Sequence, residues 1–222
     1  MNKAYYARKL NAHRLDRVYA IAGPRVRQYL QAEIDHLIDV IRSGDRVLEL
    51  GCGTGRILAS LARTAGRGWG VDNAAASIML ARTAHSGLHW AVMDVANLGF
   101  KARSFDVVVA VQNFISASKV PPEELLGECL RVTRPGGRIL LSSYAEQFWP
   151  HRLAWFRDQA REGLLGAIDE DATGNGVIVG KDGFRATTFS PGDFANLATA
   201  AGVAAQVYEV DGSSVICRID IG

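Results

Sequence analysis

The chain has 222 residues, enough for one domain, and its 48% hydrophobic content can fill a sizeable core. The apolar runs are too short to span a bilayer, and the N-terminus lacks the continuous apolar stretch of a secretory signal. A net charge of +2 argues against a nucleic-acid partner, and three cysteines without disulfide or zinc spacing favour a reduced, cytoplasmic protein without a bound metal.

Two helices are predicted before the first strand. Residues 4–21 have an amphipathic pattern, Gly23-Pro24 ends that helix and begins another, and apolar residues continue at helical spacing to residue 42. Residues 1–27 carry seven lysines and arginines against one aspartate. This excess of positive charge fits either a solvated helix face or a basic lid over an anionic group.

From residue 46 onward, strands and helices alternate. The strands are predicted at 46–50, 68–72, 88–93, 104–111 and 138–144, and the helices at 55–65, 74–85 and 121–132. This order predicts a parallel sheet with helices on both faces and right-handed crossovers.

The pattern changes after residue 144. We predict a helix over 146–165, two short strands joined by Asp182-Gly183, a helix from Ser190 to about residue 201, and a last hairpin on Asp211-Gly212. The sheet is therefore expected to end with an antiparallel strand, which a standard dinucleotide-binding sheet does not have.

A glycine-rich turn, "LGCGTGR", joins the first strand to the following helix. The turn has no Gly-Lys-[Ser/Thr], which excludes a P-loop, and Arg56 occupies the place of the third glycine in the dinucleotide fingerprint. Glu49 just before the turn would repel a pyrophosphate but attract an ammonium or sulfonium group. Asp72, at the end of the second strand, can accept hydrogen bonds from both hydroxyls of a ribose. Together these residues predict a nucleoside ligand with a cationic end.

S-adenosylmethionine has these features, and the sequence resembles the class I S-adenosylmethionine-dependent methyltransferases of the small-molecule type. The resemblance covers about residues 45–144 and rests on five segments: "VLELGCGTGRIL", "GVDNAAASIMLAR", "WAVMDVANLGF", "FDVVVAVQNFI" and "LRVTRPGGRILLSSY". By topology it extends to the last hairpin.

The resemblance implies a Rossmann-like α/β fold with a seven-stranded, mostly parallel sheet and an antiparallel last strand. We expect one methyltransferase domain over 1–222. Its parts would be an N-terminal helical lid at 1–43, a cofactor-binding core at 44–144, a substrate-covering insertion at 145–185, and a C-terminal helix and hairpin of the core at 186–222.

The resemblance also assigns cofactor-binding residues. Asp72 would bind the ribose, Asp94 the adenine amino group and Val95 the adenine through its backbone. The other expected contacts come from the glycine loop and the strand ends, at Glu49, Gly51, Cys52, Gly53, Asn73 and Gln112.

Methyl transfer is an in-line displacement in which the protein supplies alignment and, in some enzymes, a base. We expect Tyr6, Asn113, Tyr144 and Trp155 to face the acceptor, and His151 and Tyr144 are the weak candidates for a base. The segment after the fourth strand lacks the Asn/Asp-Pro-Pro-aromatic motif of enzymes that methylate amino nitrogens of DNA bases. The doubled-glutamate segment of protein arginine methyltransferases is also absent, since Glu123-Glu124 begin a helix.

Three other functions remain open at this point. A nucleotide-dependent oxidoreductase is disfavoured by Glu49, Arg56 and the antiparallel strand. A non-catalytic S-adenosylmethionine-binding module would carry the same binding motifs, and an RNA or protein methyltransferase could use the basic N-terminus. The sequence leaves open the acceptor, the methylated atom and the oligomeric state.

Overall fold

The computed structural model describes residue 5 and residues 9–222. Two helices come first, followed by alternating strands and helices and a C-terminal hairpin. The helices of the described residues are α1 (Ala12–Ala20), α2 (Pro24–Val40), α3 (Arg56–Leu61), α4 (Ala75–Ala84), α5 (Phe114–Ala117), α6 (Pro122–Val132), α7 (Trp149–Arg161) and α8 (Pro191–Ala200). The strands are β1 (Arg46–Leu50), β2 (Arg67–Asp72), β3 (His89–Val92), β4 (Phe105–Ala110), β5 (Thr133–Tyr144), β6 (Ile178–Val179), β7 (Arg185–Ala186), β8 (Gln206–Val210) and β9 (Ser214–Asp220).

Seven strands form one sheet in the order β3-β2-β1-β4-β5-β9-β8. The first five are parallel, and β9 runs antiparallel to both of its neighbours. The predicted fold class is therefore confirmed, including the antiparallel last strand. All six residues of β4 are buried, because helices cover both faces of the central sheet.

Two predicted boundaries were wrong. β5 begins at Thr133 rather than at residue 138, because Thr133 pairs with Phe105 before the Pro-Gly-Gly turn and the strand then continues beside β4. The predicted helix over 4–21 is interrupted before Ala12, since Asn11 is extended and the Ala12 N–H donates to the Ser77 hydroxyl (2.9 Å). Residues 4 and 6–8 of that prediction lie outside the described residues.

The segment after β5 packs with the N-terminal helices rather than with the main sheet. Strands β6 and β7 pair only with each other, and they join α1, α2 and α7 in a separate apolar cluster. On α7 the buried residues are Arg152, Trp155, Phe156 and Gln159, and the Trp155 indole donates to the Val18 carbonyl of α1. None of the described helices combines the length and apolarity that a membrane span needs.

A buried carboxylate joins α2 to the sheet. Glu33 is fully buried; one carboxylate oxygen accepts from the Ser214 hydroxyl (2.8 Å) and the other from the backbone N–H of Gln112 (3.0 Å). The Gln112 N–H also donates to the Ser142 hydroxyl (2.8 Å). Burial raises the pKa of Glu33 to about 7, although these hydrogen bonds oppose the rise.

Replacement of Glu33 by glutamine should change how stability depends on pH. The folded protein keeps the Glu33 proton at a pH where the unfolded chain has released it. The free energy of unfolding should therefore fall as pH rises from about 4.5 to about 7. Glu33→Gln cannot ionise and should lose that part of the slope, which urea unfolding at several pH values would measure.

Glu209→Gln, on an exposed position of β8, is the matched control and should keep the wild-type slope. An unchanged slope in Glu33→Gln would show that Glu33 does not titrate in this range in the folded protein. Glu33→Leu should instead lower the free energy of unfolding by roughly 1–3 kcal/mol, because it leaves the buried Ser214 hydroxyl without its partner.

Candidate active site

A cavity of about 340 Å³ lies at the carboxyl edge of the sheet. The turn after β1 and the ends of β2, β4 and β5 form one side, and α1, α2 and α7 cover it. Ligands of open α/β sheets bind at this edge because the loops after parallel strands converge there. All nine predicted cofactor-binding residues line this cavity: Glu49, Gly51, Cys52, Gly53, Asp72, Asn73, Asp94, Val95 and Gln112.

The glycine turn fits closely between two helices. Gly51 and Gly53 have φ values of 70° and 53°, in the left-handed region that favours glycine. A Cβ atom on Gly51 would overlap the ring of Phe114, and one on Gly53 would lie 2.6 Å from Cδ2 of Leu15 on α1. Gly51 is therefore required both by the backbone conformation and by the space beside the Phe114 ring, whereas Gly53 is required by the backbone conformation.

Asp72 is fixed by the backbone around it. Its two carboxylate oxygens accept hydrogen bonds from the N–H groups of Gly53 (2.9 Å) and Ala74 (2.8 Å). Burial raises the pKa of Asp72, and the backbone donors oppose the rise. The carboxylate thus lines the cavity in a set position and also holds the glycine turn.

Glu49 and Arg56 place an ionisable acid and a cation on the same cavity. Glu49 is buried and accepts a hydrogen bond from the Leu58 N–H (3.0 Å), and burial raises its pKa to about 8 while Arg56 opposes the rise. The Arg56 guanidinium lies 4.7 Å from the centre of the Tyr19 ring. Its Nε and Nη2 have no hydrogen-bond partner among the described residues, and none of the ion pairs found there includes Arg56.

Arg56 was not predicted as a site residue. The sequence showed it only as the residue that breaks the dinucleotide fingerprint, and Tyr19 was one of several aromatic residues in an amphipathic helix. The sequence signal that could have identified Arg56 was its position directly after a glycine turn that Glu49 precedes.

The chain leaves β4 in an unusual backbone conformation. Gln112 and Asn113 both have left-handed φ values, 56° and 60°, although neither is glycine. The Asn113 amide accepts from the Ser143 hydroxyl (2.7 Å) and donates to the Thr187 carbonyl (2.9 Å). Asn113 lines the cavity as expected, but its side chain is engaged by these two residues.

One side of the cavity is aromatic. Tyr144 and Trp155, which were expected to face an acceptor, line it together with Tyr29 on α2. The Trp155 Nε1–H donates to the Val18 carbonyl (3.0 Å), which ties α7 to α1. Burial raises the pKa of Tyr144 to about 12, so its hydroxyl keeps its proton near neutral pH and does not suit the role of a base.

His151 lies outside the cavity. It is exposed in the first turn of α7, with its ring 5.8 Å from that of Phe148, because the cavity begins only where α7 passes α1 near Trp155. The expectation that His151 lines a pocket and acts as its base is therefore corrected. Tyr6, the remaining expected acceptor residue, lies outside the described residues.

Comparison with known proteins agrees with this geometry. Residues 47–137 match a family model described as a methyltransferase domain. The chain is 40% identical over 104 residues to phthiotriol/phenolphthiotriol dimycocerosates methyltransferase 1 of Mycobacterium ulcerans, covering 44% of this chain and 37% of that protein. It is 32% identical over 108 residues to demethylmenaquinone methyltransferase of Beutenbergia cavernae, covering 49% and 44%. The matches thus span less than half the length of these two curated relatives.

Solved structures share the fold over nearly the whole chain. DhpI in its complex with SAH superposes with a TM-score of 0.68 at 19% identity, covering 99% of this chain and 95% of that one. A SAM-dependent methyltransferase from Aquifex aeolicus superposes with a TM-score of 0.63 at 14% identity, covering 93% and 98%. The chain thus shares the fold of solved S-adenosylmethionine-dependent methyltransferases, and its residues 47–137 match the methyltransferase-domain model.

Proposed function

We propose that the protein transfers the methyl group of S-adenosylmethionine to a small-molecule acceptor. The observation that carries this proposal is the cavity itself. It brings the anchored carboxylate of Asp72, the glycine turn and the end of β4 together with an aromatic wall. The carboxylate, the glycine turn and the end of β4 suit a nucleoside. The aromatic wall leaves room for another molecule at the same edge of the sheet.

The cofactor assignments follow the cavity from β1 to β3. Asp72 accepts hydrogen bonds from the ribose hydroxyls, Asp94 faces the adenine amino group, and Val95 meets the adenine through its backbone. The remaining contacts are those of Gly51, Cys52, Gly53, Asn73 and Gln112. Their support is that all of them line one cavity.

The amino-acid end of the cofactor has a matching pair of charges. Glu49 and Arg56 line the same cavity, and no ion pair joins them. A zwitterion can satisfy both, with its ammonium at Glu49 and its carboxylate at the free donors of Arg56. In this arrangement the cofactor carboxylate provides hydrogen-bond acceptors for the two Arg56 guanidinium nitrogens that have no partner among the described residues.

Bound S-adenosylmethionine supplies an electrophilic methyl group on a sulfonium. The protein's part is to hold the acceptor in line with that methyl group and to exclude water. The end of β4, which lines the cavity, would serve the first task, and α1, α2 and α7 would serve the second. The buried phenol of Tyr144 orients the acceptor rather than taking its proton.

The basic N-terminus supports a small acceptor more than RNA. Lys9 pairs with Asp182 (2.8 Å), Arg17 with Glu162 (2.6 Å) and Arg25 with Asp211 (2.6 Å). Arg14 donates to the carbonyls of Gly163 and Leu164. These cations thus hold the N-terminal helices against the rest of the chain, which suits a cover over a cavity. The relatives' names, which refer to demethylmenaquinone and to dimycocerosates, point the same way.

Asp72→Ala should weaken the binding of S-adenosylhomocysteine by roughly 1–3 kcal/mol, because two hydrogen bonds to a charged acceptor are lost. Calorimetric titration measures this directly, with NAD as a ligand that should not bind. Asp72→Asn, which keeps the shape, should show a loss in the same direction. Asp39→Ala on the exposed part of α2 is the control and should bind like the wild type. Wild-type affinity in both Asp72 variants would refute the ribose assignment.

The affinity for S-adenosylhomocysteine should rise with pH up to about 8. Without ligand, burial keeps Glu49 protonated up to about that pH. An ammonium group beside the carboxylate lowers the pKa, so binding below pH 8 releases a proton. Titrations in buffers of different ionisation enthalpy would count that proton. Four other groups face Glu49, and none of them is altered when the wild type is compared with a Glu49→Gln variant: Arg56, Asp72, Tyr19 and Cys52.

Glu49→Gln should remove this pH dependence and the proton release. Methylthioadenosine, which lacks the amino-acid end, should show neither effect even with the wild-type protein. Proton release that persists in Glu49→Gln would place the titrating group elsewhere.

A further inference from the structure

The half of the cavity away from the glycine turn differs in chemistry from the cofactor half. We call it the aromatic half, and it is lined by Val18, Tyr29, Tyr144, Trp155, Phe156 and Gln159. The charged residues that line the cavity lie instead on β1, α3, β2, the loop after β3 and α6: Glu49, Arg56, Asp72, Asp94 and Glu124. Within the described residues, the aromatic half therefore offers no charged group to a ligand.

Two buried ionisable side chains, Arg152 and Glu33, lie behind the aromatic half. Arg152 is fully buried, and its guanidinium lies 4.5 Å from the centre of the Tyr144 ring and 5.5 Å from that of Phe156. Glu33, also fully buried, acts on Tyr29 and Tyr144 from the same side, and neither Arg152 nor Glu33 lines the cavity. A cationic or an anionic acceptor would therefore lose its hydration here without gaining a counter-charge, which favours an uncharged ligand.

The aromatic half presents rings in a close arrangement. The rings of Tyr29 and Tyr144 lie 5.3 Å apart. Because the Trp155 Nε1–H is already bonded to Val18, the indole contributes only its apolar ring to the cavity. Burial raises the pKa of both tyrosines, so the two phenols are neutral. Such walls fit a planar ring better than a flexible or saturated chain, because flat π-systems pack against each other over a larger area.

Apart from Arg56, three groups that line the cavity have a buried polar atom without a hydrogen-bond partner among the described residues: the Tyr29 hydroxyl, Gln112, which is also assigned to the cofactor, and Gln159. Gln159 is buried on α7, and its Nε2 has no hydrogen-bond partner among the described residues. The Nε2 of Gln112, at the end of β4, is also unpartnered, while its Oε1 accepts from the Tyr19 hydroxyl (3.4 Å). A buried donor without a partner costs free energy, so a ligand that carries an acceptor atom near it is favoured.

We infer that the acceptor molecule is an uncharged, planar ring compound that carries a hydroxyl or carbonyl oxygen, which the Gln159 amide recognises. This inference rests on the proposed methyltransferase function. It adds the class of the second substrate, and it assigns Gln159 as a specificity residue on the insertion.

The test is a series of small probes titrated into the protein saturated with S-adenosylhomocysteine. The probes are naphthol, naphthalene, naphthylmethylamine and decalinol, which differ in one property each: oxygen, charge or planarity. Naphthol should bind about fivefold more tightly than naphthalene, as one hydrogen bond to a buried donor predicts. It should also bind more tightly than the non-planar decalinol, and the cationic amine should not bind.

Gln159→Leu keeps the side-chain bulk and removes the amide. Its preference for naphthol over naphthalene should fall to about one, and its affinity for S-adenosylhomocysteine should not change. Gln31→Leu, at an exposed position of α2, is the matched control and should keep the wild-type preference. If Gln159→Leu does not fold, the wild-type series alone decides the ligand class.

The outcomes separate the two proposals. Failure of S-adenosylhomocysteine to bind would overturn the methyltransferase function. Normal binding of it, with the amine or decalinol binding as well as naphthol, or with none of the probes binding, would overturn the acceptor class alone. An unchanged naphthol preference in a folded Gln159→Leu would remove Gln159 from its assigned role.

Discussion

The hydrogen bonds that hold the backbone after β4 set the geometry of the whole site. Gln112 and Asn113 adopt left-handed conformations that cost residues with side chains about 1 kcal/mol or more each. Glu33 and Ser142 accept from the Gln112 N–H, and Ser143 and Thr187 hold the Asn113 amide. Helix α2 and strands β4 and β5 all meet at this point. The hydrogen bonds therefore fix the positions of the strained turn, the sheet and the covering helix relative to one another.

The parts of the fold that depend on local pattern could be predicted. β1 has the bounds that the sequence indicated, since a Ser-Gly-Asp turn precedes it and the glycine turn follows. The last hairpin also turns at Asp211-Gly212 as expected. That the expected cofactor-binding residues would line one cavity was predictable, because they lie in short motifs beside strand ends and parallel strands bring those ends to one edge.

The rest depends on contacts between distant parts of the chain. In the sequence, Glu33 cannot be distinguished from the other polar residues of an amphipathic helix. Only the fold brings it into contact with Ser214, 181 residues away. The contact of Arg56 with Tyr19 depends on the packing of α1 over the glycine turn, which the sequence does not show. On α7 the helical period separates two faces but does not say where along the helix the cavity lies, so His151 and Trp155 could not be distinguished.

Helix α1 belongs to both halves of the cavity. On the cofactor side, Leu15 packs against Gly53 and Tyr19 covers Arg56, while Asp16 accepts from the Thr54 hydroxyl (2.7 Å). On the acceptor side, the Val18 carbonyl holds the Trp155 indole. A displacement of α1 that uncovers the glycine turn would therefore also open the aromatic wall. Since the proposed transfer requires both ligands in one water-excluding space, a single helix that contacts both halves gives them a common cover.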